Sequence, residues 1–213
     1  NRACTPPDLC PACSLFGIAG DKVAYKARLS FEDARLPRGV KTELYNMPQM
    51  WRPRPRTAPY FDAQRRYRGR KFYKHGQLDD TGTEPTEVIP AGSEFDEAVI
   101  GFENLLPAEL GLLFLALGFD GTFRLKLGGG KPACLGTVAF EPLELYLADR
   151  SRWKSYDVDQ SPLINAQLGQ YVSERIADAL DADGLVPPER LAEVRRVLGA
   201  TWDHVCKHPQ QWR

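Results

Sequence analysis

The amino-acid sequence predicts an α+β fold from three observations. Residues 22–33, "KVAYKARLSFED", alternate apolar and polar side chains with the period of a half-buried strand. The run from Leu105 to Leu117 is apolar nearly throughout and opens a helix at Pro107. From Pro162 onward the apolar spacing becomes helical. At 213 residues the chain can bury one core of real size, and it has no internal repeat.

In the first strand Val23, Tyr25, Ala27, Leu29 and Phe31 face one way, and Lys26, Arg28, Ser30 and Glu32 the other. A stretch rich in Pro, Arg and Tyr follows without an apolar period, and 41–90 reads as a long insertion with a hairpin inside it. "SEFDEAVIGFEN" gives a second strand, with Ala98, Ile100 and Phe102 on one side. A helix at about 107–118 is opened by Pro107 and closed by Gly118. "TFRLKLG" resumes a strand, Phe123, Leu125 and Leu127 alternating with Arg124 and Lys126. A glycine loop then turns the chain, and "CLGTVAFEPLELYLA" returns in strands broken at Pro142. Helices are expected near 163–181 and from Pro188 to Val197, the second ended by Gly199. Strand, helix, strand and antiparallel return is compatible with half of a ferredoxin-like sandwich. The expected organisation is a zinc-knuckle-like segment at 1–21, a core at 22–150 that includes the basic insertion 41–90, and a helical C-terminal extension at 151–213.

Lysine plus arginine and aspartate plus glutamate both number 28, so the net charge is zero. The balance is local, not uniform. Between Lys41 and His75 ten basic residues face two acidic ones, which leaves 18 basic against 26 acidic elsewhere. No run reaches the roughly 18 apolar residues of a membrane span, and no charged-then-apolar leader pattern is present, so a cytoplasmic location is expected.

"RLKLGGGKPACLGTVAF" sets three glycines and a lysine between two strands. Gly128, Gly130 and Ala133 match the dinucleotide fingerprint in letters alone, but a strand follows where that motif needs a helix. A P-loop fails as well, because Leu125 and Pro132 stand where it needs glycine and Ser or Thr. Two readings stay open: a hairpin turn with a spare glycine, or a phosphate-binding nest of bare N–H groups beside Lys131.

"CTPPDLCPAC" places Cys4, Cys10 and Cys13 as C-x5-C-x2-C, a spacing that lets thiolates converge on one zinc. Five cysteines, three of them within ten residues, fit metal and a reducing compartment better than a disulfide framework. The fourth ligand is open among His75, His204, Cys206, His208, Cys134 and a residue upstream; buried free thiols are the plainer alternative. In "MWRPRPRTAPYFDAQRRYRGRKFYKHG" Trp51, Tyr60, Phe61, Tyr67, Phe72 and Tyr73 interleave with cations. Cations neutralise phosphates while aromatic faces stack on unpaired bases, so the pattern suits single-stranded nucleic acid, against the alternative of a solvated loop. No catalytic constellation emerges: His75 is the only histidine before the C-terminal tail, and Asp33, Asp79 and Asp80 have no visible partner.

The segments "CPACSLFG", "SFEDA", "YRGRKFYKHG", "IPAGSEF…IGFENLLPAELGLLFLALG" and "KLGGGKPACLGTVAF", in that order over about residues 10–140, resemble the RAMP superfamily, the RRM-like proteins of CRISPR effector complexes. The similarity is nearest to the guide-RNA-binding backbone subunits of type III systems and their fused relatives. It implies a ferredoxin-like RAMP core on which Gly128, Gly129, Gly130 and Lys131 lie against guide RNA, and a projecting thumb at 41–90 that interrupts the guide–target duplex. With it the candidate RNA contacts become those four residues and Arg65, Arg66, Arg68, Arg70, Lys71, Tyr73, Lys74 and His75. Zinc-containing members of the family support Cys4, Cys10 and Cys13 as ligands. The family's first strand and its target-cutting acidic loop precede the "LFG" segment, and only about a dozen residues precede it here. The expectation is a core without that strand, no catalytic residue carried over, and partners in guide RNA, target RNA and other effector subunits or domains. Two other readings stand beside it: an endoribonuclease using His75 or Asp33, and a zinc-stabilised interaction domain.

Overall fold

The computed structural model describes residues 4–20, 23–49, 60–67, 69, 71–78, 82–148, 161–199 and 205–206. In chain order its elements are α1 (Pro11–Phe16), β1 (Ile18–Ala19), β2 (Ala24–Tyr25), β3 (Leu29–Phe31), β4 (Glu43–Met47), β5 (Gln77–Leu78), β6 (Glu84–Val88), β7 (Ile100–Phe102), α2 (Pro107–Ala116), β8 (Leu125–Lys126), a 3-10 turn (Lys131–Ala133), β9 (Thr137–Val138), β10 (Glu144–Leu145), β11 (Leu163–Ile164), α3 (Asn165–Asp181), α4 (Pro188–Leu198) and β12 (Val205–Cys206). The fold is mixed α+β. Its strands pair two by two, antiparallel in five pairs and parallel in β5–β12. No described helix is long and apolar enough to cross a membrane.

The chain forms two compact units. The first comprises Asn1–Arg35, Phe95–Thr122 and Phe140–Leu191. Its centre is α2 against α3. Leu110, Leu113, Phe114 and Leu115 of α2 are buried with Leu168, Val172 and Ile176 of α3, and Leu15, Leu29 and Leu145 close the cluster. Leu168, Val172, Ile176 and Ala179 recur at helical spacing and make one apolar stripe on α3. The helices approach closely at Gly111, where a Cβ would lie 1.7 Å from the Arg175 carbonyl oxygen. The stretch set apart in the sequence as a helical extension thus supplies one wall of this core.

The expected strand over 22–33 is divided. Its first part pairs with β1 as Ile18↔Tyr25 and Ala19↔Ala24; its second pairs with β7 as Leu29↔Phe102, Ser30↔Gly101 and Phe31↔Ile100. Between them Arg28, assigned from alternation to the solvent face, is largely withdrawn from water. Its guanidinium grips both oxygens of Glu109, with Nη1 at 2.8 Å from Oε2, and donates to the Ser14 and Asn104 carbonyls at 3.0 and 2.8 Å. Glu109 also accepts the Leu106 N–H at 2.9 Å, which caps α2. One ion pair therefore joins α1, the strand and the start of α2. The helix expected from 163 begins at Asn165 instead, because Leu163 and Ile164 pair with Leu145 and Glu144 as a strand.

The second unit comprises Leu36–Glu94, Phe123–Ala139 and Ala192–Arg213. The base of the 41–90 insertion is the β4–β6 ladder, running from Glu43↔Val88 to Met47↔Glu84. The glycine loop is the tip of the β8–β9 hairpin, with Leu125 opposite Val138 and Lys126 opposite Thr137. Met47, His75, Phe123, Ala133, Cys134 and Leu198 are buried in this unit.

Two outcomes follow for the first unit. Gly111→Ala should destabilise it by about 1–3 kcal/mol through overpacking, measured by denaturant unfolding. Arg28 holds the Glu109 carboxyl below its usual range, so the pair contributes fully above pH 4.5 and its contribution is lost as the pH falls through the depressed folded value. Glu109→Gln should therefore cost about 2 kcal/mol at neutral pH, and the gap from wild type should narrow in acid.

Candidate functional site

The loop at 127–136 closes through backbone bonds from the Leu127 N–H to the Gly136 carbonyl at 2.8 Å and from the Ala133 and Leu135 N–H groups to the Gly130 carbonyl at 2.8 and 3.2 Å. Gly128 and Gly130 have φ of 75° and 64°, a left-handed conformation that favours glycine. Gly129 differs: its φ lies outside that region and a Cβ there would meet nothing within 4 Å. Its missing side chain serves neither the turn nor the packing. Among the described residues, the N–H groups of Gly128, Gly129, Gly130 and Lys131 donate to no protein acceptor. Consecutive unpaired N–H groups form a concavity suited to an anion. Lys131 is half-buried beside them and makes no ion pair with any described residue, and Arg124 stands exposed at the foot of the hairpin.

The basic insertion meets this hairpin through His75, which is 1 % exposed. Its Nε2 lies 3.1 Å from the Arg124 carbonyl oxygen, which can only accept, so Nε2 carries the proton. Nδ1 then accepts from the Thr137 hydroxyl at 2.9 Å. Burial lowers the pKa of the imidazole and keeps it neutral. The sequence assigned His75 to a phosphate or a metal; the structure spends both ring nitrogens inside the protein. The arginines and lysines that precede it disguise it as a surface residue.

Upstream, Tyr60–Tyr67 folds into a tight clasp. The rings of Phe61 and Tyr67 pack at a tilt of 34° with centroids 4.7 Å apart, and Asp62 Oδ1 accepts the N–H groups of Gln64 and Arg66 at 2.9 and 2.8 Å. Arg66 pairs with Asp62 at 2.9 Å, while Arg65 points into solvent. Lys71 lies 4.8 Å from the Tyr73 ring centroid and 6.0 Å from that of Tyr60. Lys74 is exposed, Tyr67 is 75 % exposed and Phe72 is 49 % exposed. Arg68 and Arg70 lie outside the described residues, as do Trp51, Asp79, Asp80, His204 and His208.

In the first unit Cys4, Cys10 and Cys13 converge, their sulfurs all within 4.8 Å of one another. Tetrahedral zinc thiolates stand about 3.8 Å apart, so a small closure would let the three hold a metal ion. The backbone N–H of Cys13 and the neighbouring thiols lower the Cys10 pKa; the same neighbours, Cys10 first, push Cys13 up to about 11. Three thiols so arranged share protons that a metal ion replaces. No fourth His, Cys, Asp or Glu joins them among the described residues. His75 is committed elsewhere, and Cys134 is disulfide-bonded, contrary to the expectation of reduced thiols, which removes both from the ligand set.

Neither a protein-family model nor a curated protein matches the chain.

Because the folded pKa of His75 lies below the ordinary 6.5, its contribution to stability is full above that value and lost as the pH falls through the folded one. The second unit should therefore weaken as the pH falls below 6.5, and a His75→Gln chain, which has no titrating imidazole, should show less of that loss in thermal melts.

Proposed function

We propose that this chain is an RNA-holding module of the RAMP type, a guide-RNA-binding subunit or one such domain of a larger CRISPR effector, which positions RNA and performs no chemistry itself. The observation that carries the reading is the His75 tie. Two stretches of unlike sequence, a glycine loop with unpaired N–H groups and a basic-aromatic segment, are bonded together within one compact unit. Phosphates can be held by the loop, Lys131 and Arg124, while unpaired bases stack on aromatic faces nearby. A ferredoxin-like core is the fold such a module would have, and β4–β6 the base of its thumb. The endoribonuclease reading loses its best base, since the His75 imidazole is enclosed and both its ring nitrogens are hydrogen-bonded within the protein. Zinc is the metal we assign to Cys4, Cys10 and Cys13, in a structural role.

Binding of a fluorescent single-stranded RNA of about 30 nucleotides tests the function. With about six phosphates neutralised, affinity should fall with a log–log salt slope of roughly −4. Lys131→Ala should weaken binding with little dependence on sequence. Gly129→Ala is the sharper variant: the structure has room for the methyl group, so stability should change by less than about 0.5 kcal/mol, whereas binding should drop if RNA backbone comes against the loop. A flat salt slope, or full affinity in Gly129→Ala, would remove the nest from the account.

The purified chain should carry one zinc. Chelation should lower the melting temperature of the first unit, because α1, which follows Cys10, delivers Leu15 to the core and Ser14 to Arg28. A metal-free chain with an unchanged melt on zinc addition would refute the assignment.

A further inference from the structure

Lys126 sits in β8, at the foot of the glycine loop, and its ammonium turns in beneath it. Nζ donates to the carbonyl oxygens of Cys134 at 2.8 Å and Leu135 at 3.0 Å. Those carbonyls belong to the returning limb, where Cys134 has a φ of 65° and is buried. Leu135 packs on the other limb, so that a Cβ on Gly130 would come within 2.7 Å of its Cδ1. The titratable and charged groups near Lys126 are His75, on the segment packed against the hairpin, and Arg124, two residues before it in the chain. No described carboxylate pairs with it. The ammonium has been drawn in among carbonyls and away from water.

We infer that Lys126 is the positioning residue of the glycine loop: its ammonium holds the returning limb so that the N–H groups of Gly128 to Lys131 stay preformed for a phosphate, and its protonation regulates how tightly RNA is held. The regulatory half rests on the RNA-binding reading above. Burial lowers the pKa of this lysine to about 8, so the change falls in a mildly alkaline range. Deprotonation removes a positive charge from beneath the loop and replaces two charge-assisted hydrogen bonds with weaker neutral ones. Stability moves the other way. The folded pKa lies below the ordinary 10.5, so the unfolded chain binds more protons and this group adds stability as the pH rises from about 8 toward 10.5. Affinity should thus fall where the domain is not unfolding.

The test uses the full chain as wild type, Lys126→Met and Lys126→Arg, with the same RNA at about pH 7 and about pH 9 and constant ionic strength. Wild type should lose affinity several-fold between the two, with no drop in melting temperature. Lys126→Arg, which stays charged, should show little pH dependence. Lys126→Met should bind about tenfold more weakly than wild type at neutrality, and also with little pH dependence. Amide hydrogen exchange at a single pH supplies a readout without RNA: the Leu127 and Leu135 amides should lose protection in Lys126→Met. Wild-type affinity and pH slope in Lys126→Met, or unchanged protection of those amides, would overturn the inference while leaving RNA binding standing. Failure of wild type to bind RNA at low salt would overturn the RNA reading and the regulatory half with it, and the exchange data would still decide whether Lys126 holds the loop. Should Lys126→Met not fold, Lys126→Arg decides alone: a wild-type pH slope in it refutes regulation by Lys126.

Discussion

The imidazole of His75 is bonded on both sides, to the Thr137 hydroxyl and to the Arg124 carbonyl, and the seating of the basic-aromatic segment on the β8–β9 hairpin depends on that arrangement. A buried polar ring without partners would cost a few kcal/mol. With partners it becomes a specific link, because only one placement of the segment beside the β8–β9 hairpin satisfies both nitrogens. The energetic demand of one residue thereby sets the position of the cations and aromatics that precede it. In the first unit Arg28 does comparable work. Its planar guanidinium meets the Glu109 carboxylate through two nitrogens, and the Ser14 and Asn104 carbonyls and the Ser14 hydroxyl take the remaining donors.

Charge is distributed to suit this division. The second unit carries the excess of cations between Lys41 and His75. In the first, a pocket of about 430 Å³ is lined by Glu32, Asp33, Asp96 and Glu97, with Arg35 and Phe31. Such a pocket repels phosphate, so on the proposed reading an RNA strand would be directed by sign to the unit that holds the glycine loop. The neutrality of the whole chain conceals a difference that would steer association.

What the sequence reveals follows the range of the interactions. Pro107 and Gly118 bracket α2 as expected, and Gly199 ends α4 with its N–H on the Arg195 carbonyl at 2.7 Å, because helix signals are local. The convergence of Cys4, Cys10 and Cys13 is legible for the same reason, since the three lie within ten residues. Arg28 is not legible: its partner stands 81 positions away, and alternation along the strand can only place it in water. His75 is hidden behind the basic run that precedes it, and Lys126 within an alternating strand, with acceptors that belong to distant or returning backbone. The glycine loop could be found by composition. Its meaning turns on Gly129, whose freedom from any steric requirement only coordinates can show.

The most direct measurement is photo-crosslinking of a single-stranded RNA carrying 5-iodouridine, with the attached peptides identified by mass spectrometry. The account predicts crosslinks concentrated in 60–75, at Tyr60, Tyr67 or Tyr73, and in 127–136 around Lys131, all lost at high salt. Crosslinks confined to the first unit, or unchanged by salt, would contradict it.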